Sequence, residues 1–136
     1  MEKVTGIGGF FFLGKDSAML NDWYEKHLGV RMAGKEYNDG SWWQEEGPTV
    51  FSAESEEDQV GGTGHTWRIN FRVRDLDAMV AQLRAAGISV RVESEVYSNG
   101  RFAHLSDPGG NGIELWEPGG TDLLRPTDRQ QPTQPK

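Results

Sequence analysis

The residues best suited to chemistry lie in one stretch, GRFAHLSDPGGNGIELWEP, at positions 100–118. His104 can act as a general base, and Glu114 can accept a proton or supply a carboxylate ligand. Because side chains alternate across a strand, Glu114 points to the face opposite its two apolar neighbours. That carboxylate is therefore either solvated or lines a cavity. His104 is predicted to look into the same cavity, either as a catalytic group or as a satisfied residue of the wall.

Two amphipathic helices and several strands are predicted to position these groups. The helices begin after the N-caps Asp16 and Asp75 and end at Gly29 and Gly87. Each helix follows an extended run, at 4–13 and at about 67–73, and each precedes three further strand candidates. These candidates are about 30–32, 41–46 and 49–54 in the first unit, and about 89–97, 101–106 and 112–117 in the second.

This doubled order of strand, helix and three strands indicates internal duplication. We expect one α+β domain over residues 1–118, with module one at about 4–54 and module two at about 66–118. Residues 119–136 are rich in Pro, Gln, Thr and Gly, which predicts a flexible C-terminal tail.

Composition excludes several classes of function. The 136 residues carry a formal net charge of −7, which argues against binding to nucleic acid. The chain has no cysteine, which excludes disulfides, thiolate metal sites and a thiol nucleophile. The apolar run near the start is too short and too rich in glycine for a membrane span or a secretion signal. We therefore expect a cytoplasmic protein that does not engage a membrane.

Three segments carry a resemblance to a known family: WYEKHLGV, INFRVRDLDAMVAQLRAAGI and DPGGNGIELWEP. With the doubled βαβββ order, they resemble the vicinal oxygen chelate superfamily over about residues 4–118. That superfamily includes glyoxalase I, extradiol dioxygenases and the fosfomycin and bleomycin-type resistance proteins. The resemblance implies two tandem modules that form an open, curled mixed sheet around a cleft, and a homodimer that completes the site.

The resemblance also allows the positions of the metal ligands to be transferred. The carboxylate of the last strand falls on Glu114, whereas the first-strand positions fall near Gly9 and on Arg68. The fourth position falls near Ser52 or Ala53. Glycine has no side chain to donate, and arginine does not lose its proton to bind a cation.

We therefore expect no metal cofactor, and we expect Arg68 to replace the metal charge and to pair with Glu114. Such a pair has either a structural role or a direct role in binding a ligand. If a divalent ion such as Zn, Ni, Mn or Fe is bound, its expected ligands are Glu114 with His65 or His104. Two ligands alone would hold it poorly.

Flat side chains on the predicted strands indicate binding of an aromatic or apolar molecule. The expected ligand-binding residues are Arg68, Asn70, Phe11, Trp42, Trp43, Tyr97, Phe102 and Trp116. For each aromatic residue, the alternative is that it simply fills the core.

The resemblance leaves three functional hypotheses. The first is metal-independent binding of a small aromatic or apolar molecule, for example to sequester an antibiotic. The alternative is a glyoxalase-like metal-dependent lyase or isomerase, or a dioxygenase, that uses Glu114. A third hypothesis is a catalytically idle partner or regulatory module.

Overall fold

Two α-helices and one four-stranded sheet form the regular structure of the computed structural model, which describes residues 1–32, 40–55 and 66–128. In chain order they are α1 (Ser17–Leu28), β1 (Ile69–Arg72), α2 (Leu76–Ala85), β2 (Arg91–Val92), β3 (Gly100–Ser106) and β4 (Gly112–Pro118). A short 3₁₀ helix, Gly120–Leu123, opens the segment that the sequence predicted as a tail. The predicted α+β class is confirmed.

Local signals set the bounds of both helices. The Asp16 side chain accepts a hydrogen bond from the Met19 amide at 3.1 Å, and Gly29 ends α1 in the left-handed conformation, with φ of 71°. The Asp75 side chain caps α2 in the same way, at 3.0 Å from the Ala78 amide. Both N-caps are therefore confirmed.

The sheet has the order β1-β4-β3-β2. β1 pairs with β4 in parallel, and the other two pairings are antiparallel. A parallel pair needs a long crossover, and the segment that contains α2, β2 and β3 supplies it. One face of the sheet packs on the helices to form a buried core, which comprises Tyr24, Leu76, Val80, Leu83, Ala103, Leu105, Ile113 and Leu115. The second module therefore has the predicted βαβββ order, and its other face carries polar side chains.

The strands predicted for the first module are not present in the described residues. Residues 4–13, 30–32 and 40–55 contain no β-ladder, so the strand predictions for these segments are wrong in this structure. A strand needs a neighbouring backbone to pair with, and alternation in the sequence does not specify that neighbour. Here the backbone carbonyls of Glu45 and Pro48 instead accept hydrogen bonds from the Arg72 guanidinium, at 2.7 and 2.6 Å.

A buried polar network joins α1 to the turn between β3 and β4. The Asp107 carboxylate accepts hydrogen bonds from the Tyr24 hydroxyl at 2.6 Å and from the Asn111 side chain at 2.7 Å. It also accepts from the backbone amides of Gly109 and Asn111, at 2.8 and 3.0 Å. Burial raises the pKa of Tyr24, and the bond to Asp107 raises it further. The phenol therefore remains a donor, and the DPGGN turn is held to the helix.

Candidate functional site

Polar side chains from β1, β3 and β4, and from the residue that follows β2, meet on the face of the sheet that is turned away from the helices. The parallel register places Asn70 of β1 opposite Glu114 of β4, and the antiparallel register places Glu114 opposite His104 of β3. Glu93 follows β2 directly, and its amide bonds to the Phe102 carbonyl at 3.0 Å. We call Asn70, Glu93, His104 and Glu114 the polar cluster.

Two hydrogen bonds and one longer contact connect the members of the polar cluster in a row. His104 Nε2 lies 2.9 Å from Glu93 Oε2, and His104 Nδ1 lies 3.8 Å from Glu114 Oε2. Asn70 donates to Glu114 Oε1 at 2.7 Å. The side chains of His104 and Glu93 are 25% exposed and that of Glu114 is 13% exposed, so solvent and small molecules can reach them.

The environment of Glu93 favours its ionised form. The hydrogen bond with His104 lowers the pKa of Glu93, and this effect is larger than the opposing effect of burial. The Tyr97 hydroxyl, which donates to Glu93 Oε1 at 2.9 Å, lowers it further. The bond to Glu93 in turn raises the pKa of Tyr97. The cluster therefore presents an ionised carboxylate on one side of the imidazole.

The polar cluster could hold a cation. Glu93, His104 and Glu114 each offer one ligand atom, and these atoms all lie within 4.8 Å of one another. Imidazole nitrogen and carboxylate oxygen are common ligands of first-row divalent metals.

Aromatic side chains border the polar cluster on β3 and β4. Tyr97 contacts Phe102 edge to face, with ring centroids 5.6 Å apart, and Phe102 lies parallel to Trp116 at 6.3 Å. The Trp116 indole is 3% exposed and donates to the Asn99 carbonyl at 2.8 Å, so it forms a buried wall. These three predicted ligand-binding residues lie together beside the predicted catalytic pair His104 and Glu114.

An open recess of about 380 Å³ adjoins His104 at the edge of the sheet. It is lined by residues 88–91 and 104–106, of which Ser89, Arg91, His104 and Ser106 are polar. Its volume lies within the ordinary range of small-molecule sites, about 300–1,000 Å³.

The predicted pairing of Arg68 with Glu114 is wrong. Arg68 Nη2 lies 2.6 Å from Glu54 Oε1, and Asn70 occupies the position opposite Glu114. The cause is the register of the parallel pair, which leaves Arg68 two residues before that position, just ahead of β1. Arg68 therefore does not replace the metal charge beside Glu114.

The remaining predicted residues are exposed or lie outside the described part. Phe11 and Trp43 are more than 90% exposed, so neither lines an enclosed pocket, and Trp42 is 39% exposed. His65 lies outside the described residues.

The sequence interpretation missed Glu93. A signal was present, because Glu93 alternates with the half-buried residues Val90 and Val92 and so falls on the polar face. Its proximity to His104 depends on the pairing of β2 with β3, which alternation alone does not give.

Neither helix in the described ranges combines the length and apolar character that crossing a bilayer would require.

A family model and a known dioxygenase match parts of this sequence. A family model described as Glyoxalase/Bleomycin resistance protein/Dioxygenase superfamily matches residues 6–115. A biphenyl-2,3-diol 1,2-dioxygenase from Sphingomonas paucimobilis is 44% identical over 64 residues, which is 44% of this chain. The match spans 21% of that relative, so this chain covers about a fifth of its length.

A solved structure shares the fold. TnmS3, an antibiotic binding protein from Streptomyces sp. CB03234, matches 88% of this chain and 100% of its own, with 21% identity and a TM-score of 0.57. A glyoxalase/bleomycin resistance protein from the same organism is 37% identical over 36% of this chain and 42% of its own, with a TM-score of 0.33. On the match of the family model to most of its length, this chain belongs to the Glyoxalase/Bleomycin resistance protein/Dioxygenase superfamily.

Proposed function

We propose that this protein binds a small molecule with an aromatic or apolar part on the open face of its sheet. One observation carries the proposal: the partly exposed polar cluster lies directly beside the aromatic side chains of Tyr97 and Phe102. Small-molecule sites typically combine an apolar lining with a few convergent polar groups. TnmS3 supports only the point that this fold can serve as an antibiotic-binding scaffold.

The polar cluster favours a ligand that donates hydrogen bonds. Glu93 and Glu114 only accept hydrogen bonds when ionised, and His104 accepts through one nitrogen when neutral. A ring that carries hydroxyl or amino groups would place its donors on these atoms and its face towards Phe102. His104 and Glu114 would then be the groups able to take a proton from the ligand.

A second candidate function is a metal-dependent lyase, isomerase or dioxygenase that uses Glu114. The proximity of ligand atoms from Glu93, His104 and Glu114 favours it. The partial relative is named as a dioxygenase acting on an aromatic diol, which is consistent with a hydroxylated aromatic ligand.

We also propose that the chain works as a homodimer in the cytoplasm. Large apolar side chains of the first module, among them Phe11, Leu13, Trp43 and Phe51, are each at least 90% exposed in the single chain. Monomeric soluble proteins rarely leave large apolar patches exposed, so we infer that a second copy covers these side chains. Sedimentation velocity should give a dimer, and the double variant Trp43→Ser/Phe51→Ser should shift it towards monomer. A wild-type protein that is monomeric at every concentration would contradict this proposal.

A thermal-shift screen tests the binding proposal. The panel contains aromatic diols, aromatic amines and the same ring systems without polar substituents, because a molecule that binds only the native state raises Tm. Isothermal titration then gives the Kd of each positive compound for the wild type and for Glu114→Gln. The expected result is a rise in Tm with hydroxylated or amino aromatics, and weaker binding to the variant.

The matched control is Glu25→Gln, which removes a carboxylate from the exposed surface of α1. It should bind the panel as the wild type does. The proposal fails if no aromatic compound raises Tm, or if both variants lose the same affinity.

A further inference from the structure

The recess beside His104 lies where the backbone before β2 leaves the sheet. Arg91, the first residue of β2, pairs with His104 of β3. β3 continues for two more residues, to Ser106, and the position opposite Ser106 is Ser89. Ser89 lies outside β2, and no backbone hydrogen bond joins these two serines, both of which the structure describes. A gap therefore opens between two segments that would otherwise form a ladder.

Contacts with α2 hold the gap open. The Ile88 amide donates to the Leu83 carbonyl at 3.0 Å, and the Arg84 guanidinium donates to the Val90 carbonyl at 2.8 Å. These bonds fix the segment before β2 on the end of the helix. The recess of about 380 Å³ is therefore formed by the packing of described residues before any ligand arrives.

The backbone of Ser106 faces this gap. In an antiparallel pair, successive residues direct their amide and carbonyl groups alternately to one side of the strand and to the other. The Asp107 amide donates to the Asn111 carbonyl at 3.0 Å, on the β4 side. Ser106 comes one residue earlier and so directs its amide and carbonyl to the β2 side. The recess thus has a backbone amide donor and two exposed serine residues on its walls.

Arg91 supplies a positive charge to the recess. Its side chain is exposed and shares a face of the sheet with His104, because the two residues lie directly opposite each other. Among the described residues, no hydrogen bond or ion pair engages the Arg91 guanidinium. Its N–H donors are therefore available to a ligand, and the planar guanidinium matches the paired oxygens of a carboxylate or a phosphate.

We propose that this recess binds an oxyanion group, a carboxylate or a phosphate, of the molecule that lies on the polar cluster. The Arg91 guanidinium binds the anion, and the Ser106 amide and the serine hydroxyls add neutral donors. His104 belongs to the polar cluster and also lines the recess, so one ligand can occupy both. The inference rests on the proposed function and narrows its ligand to an aromatic acid.

The charges of the two parts give the ligand one orientation. Glu93 and Glu114 repel an anion and accept hydrogen bonds from neutral hydroxyl or amino groups. Arg91 attracts the anion at the edge of the sheet. A fitting molecule therefore carries its neutral donors at one end and its acidic group at the other.

Isothermal titration with two matched probes, 3-hydroxybenzoate and 3-hydroxybenzamide, tests the recess. The probes share a ring and a hydroxyl group, and they differ in the negative charge. We expect the wild type to bind the acid at least about fivefold more tightly than the amide, because hydrogen bonds to a charged group contribute more than neutral ones. Added salt should reduce this preference. The probe 3-hydroxyphenyl phosphate shows whether a phosphate is taken in place of a carboxylate.

Arg91→Gln should remove the preference for the acid, with circular dichroism to check that the variant is folded. The matched control is Arg74→Gln, which removes the same charge beyond β1, at the opposite edge of the sheet. Arg74 is 83% exposed and pairs with Glu45, so this variant should keep the wild-type preference.

Equal binding of the acid and the amide to the wild type overturns this inference and leaves the proposed function standing. The inference is also overturned if Arg91→Gln keeps the preference, or if both arginine variants lose it equally. Binding of neither probe overturns it as well, and the neutral aromatics of the thermal-shift panel then decide the proposed function separately.

Discussion

Replacing Tyr24 with phenylalanine tests whether the bond from α1 to the DPGGN turn stabilises the fold. The substitution removes only the hydroxyl that donates to Asp107 at 2.6 Å, and it leaves the ring in the core. Both residues are less than 10% exposed, so water does not readily replace the lost donor. We therefore expect Tyr24→Phe to lower the free energy of unfolding.

The expected loss of stability depends on which hydrogen-bond donors Asp107 retains in the variant. A hydrogen bond to a charged group contributes about 1.5–3 kcal/mol. The carboxylate retains the side chain of Asn111 and two backbone amides, so it is not left without donors. The loss should accordingly lie near the lower end, at about 1.5–2 kcal/mol.

Urea unfolding followed by circular dichroism measures this loss as a lower midpoint with an unchanged m-value. Tyr97→Phe is the matched control, because Tyr97 is 38% exposed and its bond to Glu93 should contribute less than about 1 kcal/mol. Combining Tyr24→Phe with Asp107→Asn should reveal an interaction energy of at least about 0.5 kcal/mol. The reasoning is refuted if Tyr24→Phe unfolds within about 0.5 kcal/mol of the wild type.

Two further predictions concern the sheet and its polar face. Gly100→Ala should destabilise the fold by at least about 2 kcal/mol in urea unfolding, because φ is +127° and the added Cβ would lie 2.0 Å from a carbonyl oxygen of β4. Gly110→Ala, with φ of +83° and no atom within 4 Å, should cost only about 1 kcal/mol, and equal losses would contradict this account. Arg68→Ala should leave the Kd of a positive aromatic compound unchanged, because Arg68 pairs with Glu54, whereas Asn70→Ala should raise it several-fold. The reverse order in titration calorimetry would show that the arginine serves the site.

Helix positions were predictable because their signals are local. The side chains of Asp16 and Asp75 accept hydrogen bonds from backbone amides three residues ahead. Gly29 adopts the left-handed conformation directly after the last residue of α1. Strands β3 and β4 were predictable for a similar reason, since alternation separates the buried Ile113 and Leu115 from the half-buried Glu114. The strand predicted at about 89–97 is present only as Arg91–Val92. Family membership followed from motifs in those same segments, and the family model confirms it.

The candidate site was only partly predictable. His104 and Glu114 were chosen from residue type and face, and the structure places them side by side across β3 and β4. Arg68 was assigned to Glu114, but the register of β1 against β4 brings Asn70 there instead. A shift of two residues keeps every side chain on its face, so alternation cannot detect it.

What the amino-acid sequence by itself determined is the type and order of the local elements, the polar face of the sheet and the family. Tertiary structure alone decided which residues on that face touch, including the contact of Glu93 with His104 and the bond of Tyr24 to Asp107. The physical reason is range: caps and alternation act over a few residues, whereas the 83 positions between Tyr24 and Asp107 are bridged only when the helix packs on the sheet.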